Sequence, residues 1–177
     1  MRAIAKIPDK IEVRLNGFKV SVKGPKGEIE KDFSSPLFNK TIKMVQNAGI
    51  VEVSSSNDKR KTKSQVGNVA AQIRNMVNGV TEGYTYKLKV VYLHFPFTVK
   101  VAGKEVQLGN FLGEKAPRTA EIIGNTKVEV KGDEIIVTGI NKEETGQTAA
   151  NLERSARIKA RDRRVYQDGI FIVERPK

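Results

Sequence analysis

The chain contains no cysteine, so disulfides, thiolate metal sites and a cysteine nucleophile are excluded together. It has no tryptophan, and aromatic residues make up only 6%, so valine and isoleucine are expected to dominate small cores of limited margin. The single histidine, His94, precedes Phe95-Pro96 in an apolar setting, a context suited to packing rather than to general-base catalysis. No apolar run approaches the roughly 18 residues a membrane span needs. Neither amphipathic segment carries the Trp/Phe/Leu face of an interfacial helix, so no membrane partner is expected. The opening residues Arg2-Ala3-Ile4-Ala5-Lys6-Ile7-Pro8 hold no apolar signal core, which leads to the expectation of a soluble cytoplasmic protein. Gly24-Pro25-Lys26-Gly27 lacks the spacing and the Ser/Thr of a phosphate-binding loop and reads as a hairpin. The acid pairs Glu143-Glu144 and Asp133-Glu134 have no His or Cys to complete a metal site. No catalytic residue, cofactor, metal or small-molecule substrate is indicated.

What the chain has in abundance is positive charge. Its formal net charge is +12 over 177 residues, which repels itself unless a polyanion is present. With membranes disfavoured, that polyanion is expected to be nucleic acid. Residues 1–90 carry 17 Lys+Arg against 8 Asp+Glu, and residues 91–177 carry 15 against 12. The second half is thus nearly balanced overall. Its positive charge is packed into one block: Arg154, Arg157, Lys159, Arg161, Arg163 and Arg164, against the single acid Asp162. Five of those six cations are arginine, whose planar fork matches phosphate oxygens two at a time and stacks on bases.

The two halves echo one another. Ile11-Glu12-Val13-Arg14-Leu15-Asn16-Gly17 and Phe97-Thr98-Val99-Lys100-Val101-Ala102-Gly103 share alternating apolar positions and a glycine turn. Each runs on into a second strand, Lys19–Val22 and Glu105–Leu108. Gly49–Ser54 then matches Asp133–Thr138, followed in each half by a polar loop and a segment of helical period. In the first half Val66, Val69, Ile73, Met76, Val77 and Val80 lie along one helix face; in the second the face is thinner, with Ala149, Leu152 and Ala156 in a helix expected over 145–156. Glu82-Gly83-Tyr84-Thr85-Tyr86 and Asp168-Gly169-Ile170-Phe171-Ile172 read as matching closing turns and strands, with aspartate capping amides and glycine taking positive φ. The expected fold class is α+β: two tandem duplicated domains, 1–82 and 83–177, each an antiparallel β-sheet packed against a single α-helix. Strand 84–91 is expected to bridge the halves.

Longer motifs point to a family. Asn75-Met76-Val77-Asn78-Gly79-Val80-Thr81-Glu82-Gly83-Tyr84-Thr85-Tyr86-Lys87-Leu88 followed by His94-Phe95-Pro96-Phe97 resembles large-subunit ribosomal protein six in its archaeal and eukaryotic form. Asn110-Phe111-Leu112-Gly113-Glu114-Lys115 is similar to another block of that form. The ending Arg164-Val165-Tyr166-Gln167-Asp168-Gly169-Ile170-Phe171-Ile172 resembles its C-terminal signature, with Tyr166 where the family often has phenylalanine. The resemblance implies a duplicated α+β protein that is a structural constituent of the large ribosomal subunit. It further implies partners: large-subunit rRNA near the sarcin–ricin loop, neighbouring large-subunit proteins, and translation GTPases docking close by. The C-terminal domain, 83–177, is implied to be the main rRNA-binding domain.

Each candidate contact has a physical rationale. Arg154, Arg157 and Lys159 fall on or just past the last helical turn, where cations also relieve the helix dipole. Arg161, Arg163 and Arg164 fall in the following loop and can adapt to phosphate spacing. Recognition of an RNA helix is expected through shape, phosphates and 2′-hydroxyls. Tyr166 either stacks on an unpaired base, reaches a ribose, or packs against the helix; Gln167 is a candidate for sugar or phosphate. Lys115 and Arg118 are expected in a loop reaching RNA. Lys59, Arg60, Lys61 and Lys63 are placed in the loop before the first helix, as further candidates. Two other function classes remain. A free-standing RNA-binding regulator or chaperone should expose stacking aromatics on a sheet. A nuclease needs a carboxylate or histidine constellation, for which only Asp162 and Asp168 are near the block.

Overall fold

The computed structural model describes residues 2–8, 11–36, 41–47, 49–57 and 59–176. It divides into two compact units, Met1–Gly83 and Tyr84–Lys177. In the first unit β1 (Arg2–Lys6), β6 (Ile50–Ser55) and β5 (Ile42–Asn47) form one antiparallel sheet in that order, and β2 (Glu12–Asn16), β3 (Lys19–Gly24) and β4 (Gly27–Asp32) form another. Strand alternation sends Ala5, Val51 and Val53 from one sheet, and Val13, Val20, Val22 and Ile29 from the other, into the core. There they meet α1 (Arg60–Thr81), whose buried face includes the expected stripe Val66, Val69, Ile73, Met76, Val77 and Val80.

The end of α1 is closed by backbone. The amides of Glu82 and Gly83 donate to the Asn78 carbonyl, and Gly83 takes φ +73°, the left-handed geometry of a helix-terminating glycine. From the β3–β4 hairpin, predicted at Gly24-Pro25-Lys26-Gly27, the Lys26 amide donates to the Val80 carbonyl at 3.0 Å. A Cβ on Gly24 would lie 2.7 Å from Val80 Cγ2, so only glycine permits this approach. The start of α1 differs from expectation: Arg60, Lys61 and Lys63 lie inside the helix and Lys59 is its N-cap, with no side-chain capping bond and no acid in the first turn. The apolar period begins only at Val66, so the preceding turn reads as loop, yet the Thr62 and Lys63 amides already donate to the Lys59 carbonyl.

The second unit repeats the plan. One antiparallel sheet has the order β11 (Lys127–Lys131), β12 (Glu134–Gly139), β7 (Tyr84–Val91), β13 (Gly169–Glu174); the other has the order β10 (Arg118–Glu121), β9 (Glu105–Gly109), β8 (Thr98–Ala102). A 3-10 turn, Phe111–Gly113, connects β9 to β10. The helix α2 (Lys142–Ser155) starts three residues before the expected position. Its N-cap Asn141 accepts from the Glu143 amide, Glu143 and Glu144 occupy its first turn, and Arg154 its last, all favourable to the dipole. Leu88, Val106, Leu108, Phe111, Ile135, Val137, Leu152 and Ile170 form the core.

The chain is therefore a tandem duplicated α+β protein of antiparallel strands and one helix per copy. One equivalence is corrected. By position in its sheet β7 corresponds to β1, because β1-β6-β5 matches β7-β12-β11. The strand beginning at Tyr84 opens the second copy rather than closing the first, and β13 has no counterpart among the described residues. Local similarity of the two acid-glycine-strand runs does not reveal this, because a strand's neighbours are set by which edges are free. No helix among the described residues is long and apolar enough to cross a membrane.

Candidate nucleic-acid interface

What the second copy adds is an arm. It leaves α2 at Ala156, runs through residues 157–167, and returns as β13 beside β7. Both ends are fastened. At the helix end, Arg118 at the start of β10 donates from Nη1 to the carbonyls of Ser155 (3.0 Å) and Arg157 (2.8 Å). Its Nε and Nη2 bind the two Glu114 oxygens, and its guanidinium carbon stands 4.4 Å from the Phe111 ring centroid. The 3-10 turn that presents Phe111 takes left-handed backbone at Asn110 and Leu112, conformations that persist only when packing enforces them. The Arg118 hydrogen bond holds the Glu114 carboxyl below its ordinary value against a smaller effect of burial; the charges of Arg118, Lys159 and Arg161 add to the lowering.

At the strand end the anchor is Asp168, 2% exposed. It accepts from the Leu93 amide at 2.7 Å and the His94 amide at 3.4 Å, and His94 Nδ1 lies 3.4 Å from it. Burial pushes this carboxyl up, but the Leu93 amide, the His94 ring and the His94 amide together hold it below its ordinary value. The expected local turn at Asp168-Gly169 is not formed. The amides that Asp168 caps belong to the connection after β7, and Gly169 opens β13 without a positive φ. A Cβ there would come 3.3 Å from the Phe171 ring, a tight approach, and 3.5 Å from the Ala156 carbonyl, an ordinary contact.

Between its anchors the arm folds around Asp162. Its carboxylate accepts from the Arg164 amide at 2.9 Å and pairs with the Arg164 guanidinium at 2.8 Å, and its carbonyl accepts from the Tyr166 amide at 2.9 Å. The Arg164 side-chain bonds, then the Arg164 amide, hold the Asp162 carboxyl below its ordinary value. Tyr166 is half-buried. Its ring stacks on His94 at 4.5 Å, and Arg161 stands 4.8 Å from its centroid. Of the alternatives for Tyr166, packing is what the structure displays, although on His94 and the core edge rather than on helix alone. Gln167 donates to the Arg164 carbonyl at 3.3 Å.

The candidate residues thus separate. Arg154, Arg157, Lys159 and Arg163 are exposed and make no side-chain hydrogen bond or ion pair among the described residues. Arg161 and Arg164 are exposed but pre-oriented by Tyr166 and Asp162. Lys115 is exposed beside Glu114. Arg118 departs from the expectation of a loop cation reaching outward: its side chain is 16% exposed, and its donors are used inside the domain. Lys59, Arg60, Lys61 and Lys63 belong to the first unit. Sequence reasoning missed His94 and Glu114 as arm-positioning residues. His94 meets its partner 74 positions away with no local signal, whereas the Glu114/Arg118 spacing of four was visible. Between the end of α2, the arm and β13 lies a groove of about 750 Å³.

Among known proteins, the chain is similar to the large ribosomal subunit protein uL6 of Methanocella arvoryzae, 48% identical over 170 residues that cover 96% of this chain and 94% of that protein. It is 47% identical to uL6 of Methanobrevibacter smithii (99% and 96% covered) and 50% identical to uL6 of Sulfurisphaera tokodaii (96% and 89% covered). The family model described as Ribosomal protein L6 matches twice, at residues 7–83 and 95–169, once per structural copy. A duplicated antiparallel α+β fold, two family matches in register with it, and near-full-length identity to archaeal relatives agree: the chain belongs to the ribosomal protein L6 family, whose role is structural rather than enzymatic.

Proposed function

We propose that this protein is a structural constituent of the large subunit of the cytoplasmic ribosome, where its second unit binds large-subunit rRNA near the sarcin–ricin loop, beneath the region where translation GTPases dock. The observation that carries the reading is the arm itself. An exposed, arginine-rich excursion is fastened at both ends, while Arg154, Arg157, Lys159 and Arg163 are left without protein partners among the described residues. Holding cations in one place before RNA arrives reduces the ordering cost of binding. Arg161 and Arg164 add oriented forks for phosphate, and Gln167 and Lys115 flank them. Tyr166 contributes by orienting Arg161. Lys59, Arg60, Lys61 and Lys63 form a second, weaker contact with RNA or a neighbouring ribosomal protein; as cations at the positive end of α1 they are relieved by an anion.

The test has two parts. In a sucrose gradient of cell extract the protein should run with large subunits in ordinary salt; recovery only at the top supports the free-standing regulator instead. Replacing Arg161, Arg163 and Arg164 by Ala should weaken binding to the rRNA fragment and flatten its salt dependence by roughly 0.7–0.9 log units for each phosphate no longer neutralised. An unchanged slope means that these arginines do not touch phosphate.

A further inference from the structure

The groove behind the arm is unlike a phosphate-binding surface. Its volume, about 750 Å³, lies in the range of roughly 300–1,000 Å³ typical of sites for small organic groups. Two of its walls are apolar, Ile158 and the Phe171 ring, which is 42% exposed. Arg154, Arg157 and Arg163 stand on it as cations unpaired among the described residues. Two acids also line it. The Asp168 carboxylate is taken up by Leu93 and His94, but Glu153 makes no hydrogen bond or ion pair among the described residues. The arginines suit phosphate, whereas Glu153 can only accept, so a ligand that uses the whole lining carries both negative charge for the arginines and a donor edge for Glu153.

We propose that this groove takes one unstacked guanosine nucleotide from a bulge or loop of RNA, a proposal that rests on the arm being an RNA-binding surface. A paired, stacked base cannot enter such a groove, whereas unpaired bases of RNA are splayed out and read on their edges. The base plane lies against Phe171 and Ile158, as bases do on the aromatic platforms of single-strand binders. Guanine is the base with two adjacent Watson–Crick donors, N1–H and N2–H, which match the two oxygens of a carboxylate that only accepts. Its O6 and N7 acceptors suit an arginine fork. The remaining arginines neutralise the flanking phosphates.

The test uses the full-length protein and three synthetic RNA hairpins sharing one stem: fully paired, with one bulged guanosine, and with one bulged adenosine. Fluorescence anisotropy at fixed salt should show the bulged guanosine binding about tenfold more tightly than the paired stem, within what a bidentate base contact supplies, and more tightly than the bulged adenosine. Glu153→Gln removes one negative charge, which favours all three hairpins by the same factor, and also removes one of the two acceptors that guanine N1–H and N2–H use. The readout is therefore the guanosine-over-adenosine ratio, which should fall to parity. Equal affinity for the three hairpins, or a preference that survives in Glu153→Gln, overturns the groove proposal while leaving the arm as an RNA-binding surface. Failure of all three hairpins and of the rRNA fragment to bind overturns both.

Discussion

Arg118→Met separates holding the arm from touching RNA. The substitution removes two charge-assisted bonds to the carbonyls of Ser155 and Arg157, each worth about 1.5 kcal/mol where nothing replaces it. It also removes the cation over Phe111, about 1 kcal/mol. The Glu114 pair adds less than about 1 kcal/mol, because the Glu114 side chain is 43% exposed and solvent screens it. Water can reach the freed helix-end carbonyls and recovers part of the loss, leaving a net cost of about 2–3 kcal/mol to the second unit. For a domain of this size that corresponds to a fall of roughly 10–20 °C in Tm, read by circular dichroism without RNA. Arg118→Lys keeps the charge but loses the fork and should fall between the two. Affinity for the rRNA fragment should drop in Arg118→Met while the slope of log K against log salt is kept, because Arg118 neutralises no phosphate. The opposite pattern, an unchanged Tm with a slope reduced by roughly 0.7–0.9, would show that Arg118 contacts the RNA and that its role in fastening the arm is misread.

Two further outcomes follow from close contacts elsewhere. Gly24→Ala places a Cβ against Cβ, Cγ2 and the carbonyl of Val80, whose side chain is fully buried; it should destabilise the first unit by about 1–3 kcal/mol, measured by urea titration, and full stability would show that the hairpin can retreat from α1. Asp168→Asn keeps one acceptor but turns a donor toward the His94 or Leu93 amide, costing about 1–3 kcal/mol. Because the folded Asp168 carboxyl lies below its ordinary value of 3.8, its contribution is complete above that value and is lost as pH falls through the folded value. The stability gap between wild type and Asp168→Asn should therefore narrow below about pH 4, and a gap that stays constant from neutral pH to about pH 2 would refute the assignment.

Much of the architecture is local information. The stripe from Val66 to Val80 specifies α1 because one helical face repeats at the period of burial. The β2–β3 and β8–β9 strand pairs and the Gly24–Gly27 hairpin are legible from alternation and turn chemistry, whereas β10, which carries Arg118, reads as loop. The duplication is legible because both copies solve the same packing problem with the same pattern. The charge block of the arm is plain in the sequence, since arginine density needs no neighbours to be counted. Where the arm begins and ends, which of its cations are free, and what holds them are not local properties. His94 and Asp168 stand 74 positions apart, and Arg118 meets Ser155 and Arg157 across 37 and 39. Arg118 and Arg163 look alike as cations in loops; one spends its donors on helix-end carbonyls and a carboxylate, the other faces a groove unpaired among the described residues. Periodicity and charge are one-dimensional and survive in the chain as written. Sheet-edge pairing, as with β7 beside β13, and the satisfaction of buried donors depend on which distant segments the core brings together, so the folded protein alone assigns them.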